Sequence, residues 1–141
     1  VGIICQAEGH WVVVDAHPVS SGSDDHARVR KRSLEDFLSN PKIKKLGIYR
    51  LEESGLSQIP QMASKAALKY AENNTPFDFA FELNSDEAIY CTELIYKAFL
   101  GNGLDLCQNS FTRLDSFLIQ QDVILPSDLM RHYNFNRIQP K

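Results

Sequence analysis

Cysteine is scarce in this chain of 141 residues, which has only Cys5, Cys91 and Cys107. Three thiols so placed do not suggest a disulfide framework. There is no Cys-x-x-Cys and no His-Glu-x-x-His. The sequence therefore offers no metal motif and no cofactor is expected. An excess of positive charge is lacking too. Fifteen Lys and Arg against 18 Asp and Glu give a net charge of -3, and the pI is near 5.8. That argues against a nucleic-acid-binding surface. No apolar run reaches membrane length. An initiator Met is also missing: Val1-Gly2-Ile3-Ile4 opens directly inside a strand-like run. Residues upstream are expected, and any signal peptide would lie there, so the compartment is not legible.

What is present is ordinary for a globular protein, 43% hydrophobic and 23% charged. The length suits a single domain over residues 1–141 with a real core, and no repeat or linker divides it. The one basic cluster, Arg28-Val29-Arg30-Lys31-Arg32, follows acidic Asp24-Asp25 in a Ser/Gly-rich stretch. It reads as part of a solvated loop over residues 20–32.

Two β-rich runs, Val1 to Gln6 and Trp11 to Ala16, flank a plausible turn at Glu8-Gly9. An antiparallel hairpin pairs Gln6 with Trp11, Ile4 with Val13 and Gly2 with Asp15. Ser33 opens a short capped helix that Pro41 stops. Residues 46–51 alternate as a third strand. Ser57 can cap a helix to about Glu72, its stripe using Ile59, Met62, Ala63, Ala66, Ala67 and Tyr70. Phe77 to Phe81 reads as a short strand or extended segment. Thr112 to Gln120 suggests a short helix, Val123 to Leu125 a last strand, and Pro126 to Met130 a helical turn. Strands come early and no regular βαβ alternation appears, so the class is α+β.

The stretch of most interest is Tyr90-Cys91-Thr92-Glu93-Leu94-Ile95-Tyr96-Lys97-Ala98-Phe99-Leu100-Gly101. Helical spacing puts Cys91 on a stripe with Leu94, Ile95 and Ala98. Gly101 is a plausible left-handed stop. A helix beginning at Tyr90 or Cys91 would hold the sulfur where unpaired N–H groups converge, a setting that favours a thiolate nucleophile. A small apolar residue filling the core fits the same pattern. Asp15, the one charged side chain in Val12-Val13-Val14-Asp15-Ala16, faces a glycine. It reads either as a site acid or as a strand-end carboxylate bonded to the next turn. The residue just before Val1 would be a diagonal neighbour of Asp15, and would sit opposite His17 if the second strand runs that far. His10 falls at the hairpin tip, His26 in the polar loop and His132 near the C-terminus, none with a partner that suggests chemistry. Asp78, between two phenylalanines, reads as a backbone-bonding turn residue or a substrate contact. Tyr90 reads as core or as a substrate contact.

In order along the chain, Val1-Gly2-Ile3-Ile4, Val13-Val14-Asp15-Ala16-His17-Pro18-Val19, Thr75-Pro76-Phe77-Asp78-Phe79-Ala80-Phe81 and Tyr90-Cys91-Thr92-Glu93 resemble the YiiX-like family. These are circularly permuted NlpC-type, papain-like cysteine hydrolases, distant relatives of lecithin:retinol acyltransferase. The resemblance covers nearly the whole chain. It implies an α+β permuted papain-like fold, an antiparallel sheet or barrel packed on helices, with the nucleophile helix late in the chain. It also implies Cys91 as the nucleophile and Asp15 as the residue orienting a histidine. The family's histidine falls just before Val1, outside this sequence. His17 is the nearby substitute on the Asp15 face.

The resemblance thus implies a thiol hydrolase, an amidase or peptidase working through a thioester acyl-enzyme. A small peptide, amino-acid or acyl compound would be the substrate, cell-wall peptide included. Lipid acyl hydrolysis or transfer by the same thiol is an alternative, and so is a non-catalytic binding domain if the base is absent.

Overall fold

The computed structural model describes residues 1–18, 27–115 and 120–138. The N-terminal hairpin pairs β1 (Ile3–Ala7) with β2 (His10–His17), and Gln6 faces Trp11 and Ile4 faces Val13. This is the register read from sequence. It follows from a two-residue turn in which Glu8 (φ 52°) and Gly9 (φ 79°) are both left-handed, the geometry that matches strand twist.

Residues 28–33 are not loop but strand β3 (Arg28–Ser33), paired antiparallel with β2 in the order β1-β2-β3. Only Val29 of this strand is a buried apolar residue, so its pattern carries no apolar alternation. The pairing is decided by β2 and by what the arginines meet on its outer face. His26, read as a loop residue, lies outside the described residues.

Ser33 then caps α1 (Leu34–Leu38), its Oγ accepting the Asp36 N–H at 3.0 Å, as the sequence predicts. Strand β4 (Ile48–Leu51) pairs with β7 (Phe135–Ile138) near the other end of the chain. Helix α2 (Ile59–Glu72) starts one residue later than a Ser57 cap implies, with Gln58 at the cap and Pro60 in its first turn. Ala63 and Ala67 are its buried contacts, while Met62 is exposed.

Helix α3 (Cys91–Leu100) starts at the residue expected. Its end is different. Gly101 stays right-handed (φ -62°), and the left-handed residue is Gly103 (φ 87°). Strand β5 (Thr112–Asp115) pairs antiparallel with β6 (Gln120–Val123), where the sequence predicts a helix from Thr112 to Gln120. The last strand of the sequence reading therefore ends at Val123 and not Leu125. Helix α4 (Pro126–Leu129) follows. Buried Asp128 holds it to β5 through Thr112 Oγ1, at 2.9 and 3.0 Å, and accepts the Leu125 N–H at 2.8 Å.

The architecture is α+β. Among the described residues the strands form three separate antiparallel sheets and no closed barrel. The core sits between sheet β1-β2-β3 and helices α2 and α3. Cys5, Val12, Val14, Ala16 and Val29 from the sheet share one cluster with Ala63, Ala67, Leu94 and Ala98 from the helices. Burying such side chains stabilises by about 25 cal/mol per Å² of apolar surface. Strand alternation then puts Val13, Asp15 and His17 on the other face of β2.

Candidate active site

The site is best built from Tyr90-Cys91-Thr92-Glu93. Three of these four are buried and tied down. The Tyr90 hydroxyl accepts the Ile124 N–H at 2.9 Å. Thr92 Oγ1 donates to the Ile124 carbonyl at 2.5 Å. Glu93 Oε2 accepts the Tyr90 N–H at 3.2 Å, closing the first turn from within. The two bonds to Ile124 clamp the helix start onto the segment before α4. Cys91, first residue of α3, is the one member of the four left partly exposed. Its N–H belongs to the helix's first turn and has no intrahelical acceptor.

The other thiols differ. Cys5 is 1% exposed and its Sγ donates to the Ser64 carbonyl at 3.4 Å. Burial pushes it up to about 12. Cys107 is fully buried, and burial, with Asp105 and Asp128 nearby, also pushes it up to about 12. A thiolate is the reactive species, so neither is suited to nucleophilic chemistry near neutral pH.

Glu93 is buried beside Lys97, 3.0 Å from Oε1, and Lys97 also reaches exposed Asp86 at 2.7 Å. Burial raises the Glu93 carboxyl, and the Lys97 partner works against that rise. The role of Glu93 is to hold the helix start.

Asp15 is buried on β2 at 5% exposure. Arg32 donates to both its oxygens, Nε to Oδ1 at 3.2 Å and Nη2 to Oδ2 at 2.9 Å. Arg30 Nε lies 3.7 Å from Oδ1. His17 Nδ1 lies 3.8 Å from Oδ2, an ion-pair distance but not a hydrogen bond. Burial, then Arg30, lower the His17 pKa against the pull of Asp15, so its imidazole is neutral near pH 7. Gly2 faces Asp15 as the register requires. A Cβ there would meet Val13 Cγ1 at 2.8 Å and the Val14 carbonyl at 3.0 Å.

Asp15 and His17 are thus brought together on one strand face. Helix α3, which begins at Cys91, packs on β2 from the core side, whereas Asp15 and His17 lie on the other face of that strand. Among the described residues no hydrogen bond or ion pair joins Cys91 to either. Arg30 and Arg32 do not stand out in the sequence because their strand reads as a loop; the one signal is the i, i+2 spacing of arginines opposite an isolated aspartate.

Asp78 is buried and spends both oxygens on backbone, accepting Ala80 N–H at 2.8 Å and Glu82 N–H at 2.6 Å. Gln121 Nε2 donates to the Ala80 carbonyl at 2.7 Å. Between these bonds Phe81 is held at φ 58°, a strained value for an aromatic residue. Its ring packs edge-on against Tyr90 at 5.0 Å. Tyr90 and Asp78 therefore shape the lead-in to Cys91 through internal bonds. A cleft of about 780 Å³ lies beyond Phe81, lined on α3 by Tyr96, Lys97 and Leu100. It takes in Phe81 but not Phe77 or Phe79.

A family model matches residues 1–138, described as "Permuted papain-like amidase enzyme, YaeF/YiiX, C92 family". The chain belongs to this family. With the C92 family come the amidase class and a thiol hydrolase chemistry. A comparison with curated proteins finds no match. A solved structure described as metalloprotein yiiX from Escherichia coli O157:H7, DUF1105, is similar at TM-score 0.73 and 16% identity. The match covers 99% of this chain and 81% of that one, and at that identity it speaks for the fold alone. Among the described residues no group of three or more His, Cys, Asp or Glu side chains could hold a metal ion. No described helix is long and apolar enough to cross a membrane.

Proposed function

We propose that this C92 member is a cysteine amidase in which Cys91 is the nucleophile and Asp15 orients the base. The nucleophile helix, late in the chain, is read as packing on the N-terminal antiparallel sheet within one unit over residues 1–141. The observation that carries this is the contrast within Tyr90–Glu93: three side chains are spent on fixing the helix start, and the thiol alone is left partly exposed.

In this reading a histidine takes the Cys91 proton and the sulfur attacks the amide carbon. The Cys91 N–H supports the oxyanion. The C–N bond breaks as the histidine returns the proton to the leaving amine. Water then opens the thioester and regenerates the thiol. Asp15 holds the imidazole in the right tautomer. The register continued beyond Gly2 would set a residue preceding Val1 opposite His17, beside Asp15, and the base is assigned to that position. His17 is the substitute within these residues.

Small peptide amides, cell-wall peptides among them, are the proposed substrates. The test is amine release from such peptides by the full-length protein and its Cys91→Ala variant. Loss of at least about 10³-fold is expected, and undiminished release by the variant would overturn the assignment.

One observation favours a second reading, lipid acyl hydrolysis or transfer by the same thiol. Phe79 is 65% exposed and packs edge-on against Phe77 at 4.8 Å, close in sequence to the Phe81–Tyr90 contact. Long-chain acyl esters cleaved faster than peptide amides would select it. The grip of Arg32 on Asp15 favours a third, a non-catalytic ligand-binding domain; peptide binding without amine release would select that.

A further inference from the structure

The arginines of β3 have no part in the chemistry above, yet one of them is the tightest partner of the proposed orienting acid. Arg32 pairs across the sheet with Val13 and reaches Asp15 diagonally. Its guanidinium lies 4.9 Å from the centre of the Phe37 ring on α1, so the fork is held on its far side as well. The next residue, Ser33, caps that helix. An ionised carboxylate has about four acceptor positions. Arg32 takes one on each oxygen, and Gly2 brings the β1 backbone so close that a Cβ there would lie 3.3 Å from the Asp15 Cβ.

We propose that Arg32 is a positioning residue for Asp15: it fixes the carboxylate on the strand face that carries the base and offsets part of its charge. This rests on the reading of Asp15 as the orienting acid. Among the described residues the charged groups facing Asp15 are His17 from β2 and Arg30 and Arg32 from β3. Arg28 stands opposite His17, and Lys42, beyond α1, acts on His17 from further away. From β1 comes uncharged Gly2 and from α1 the ring of Phe37. An unopposed aspartate would hold the base as imidazolium. With Arg32 in place the base is more readily neutral, the form that can accept the thiol proton.

The experiment is the pH profile of Cys91 alkylation by iodoacetamide in the full-length protein. In Arg32→Gln the half-maximal pH rises by about one unit, which is about a tenfold loss of rate on the acid side. Arg32→Lys keeps the charge and stays within about 0.3 unit of the parent, though its point charge cannot reproduce the fork. In an Asp15→Asn background Arg32→Gln has no effect, because there is no carboxylate to offset. That neutral pair also covers the case in which Arg32→Gln alone does not fold. An unchanged profile in folded Arg32→Gln overturns the proposal, as does an equal shift in the Asp15→Asn background. If Cys91 of the parent labels no faster than Cys107, the functional reading fails instead.

Discussion

Arg32 closes both arms of its guanidinium on the carboxylate of Asp15, at 2.9 and 3.2 Å, across a strand pair that the sequence presents as a strand facing a loop. Both side chains are largely removed from water, Asp15 at 7% and Arg32 at 19% side-chain exposure. Breaking such a pair from one side leaves an uncompensated charge. Asp15→Ala is therefore expected to cost about 3 kcal/mol, and Asp15→Ala with Arg32→Ala distinctly less than the sum of the two single changes. Urea titration of the four proteins measures the coupling.

His17 makes stability depend on pH. Its folded pKa lies below the ordinary value through burial and Arg30. As pH falls from 7, the unfolded chain binds this proton first, so its contribution is full above about 6.5 and is lost as pH drops toward the folded pKa. His17→Asn should flatten the slope of stability between pH 7 and 5, as followed by urea midpoints. A slope unchanged by the substitution would remove His17 from the explanation.

Cys5 and Cys107 give the opposite dependence. Both are raised to about 12 by burial. The unfolded chain loses these protons near ~8.5, so stability is intact below that pH and falls as pH rises toward 12. Native protein at pH 8 should yield neither thiol to a disulfide reagent, whereas protein in denaturant should yield both.

Two partners of Lys97 separate buried from exposed charge. Glu93 is fully buried, while the Asp86 side chain is 89% exposed. Lys97→Met strands Glu93 and is expected to cost about 3 kcal/mol or more. Asp86→Ala is expected to cost less than about 1 kcal/mol. Thermal melts of both variants decide this, and equal losses would show that Glu93 draws its support from elsewhere.

The parts of the fold that were legible in sequence are those that local physics decides. Glu8-Gly9 fixes a hairpin register by itself. Ser33 caps α1 through its own hydroxyl, and α3 starts where its apolar spacing starts. The parts that were not legible depend on partners far along the chain. Strand β3 carries one buried apolar residue and is held by β2. The paired strands β5 and β6 are mostly polar, with Asp128 bonding to Thr112 from 16 residues away. The C-terminal β7 finds β4 across most of the chain. At the candidate site, Cys91 and Asp15 stood out as residue types in unusual surroundings. Arg32, the clamp on Ile124 and the bonds of Asp78 did not, because each is a tertiary contact with no local pattern.

The nucleophile assignment is tested most directly by brief iodoacetamide labelling of the full-length native protein near neutral pH, followed by peptide mass mapping. Cys91, partly exposed at the start of α3, should be modified at least about tenfold faster than Cys5 or Cys107, with amine release lost in step. Labelling of Cys91 no faster than Cys107, or full amine release after complete labelling, would contradict it.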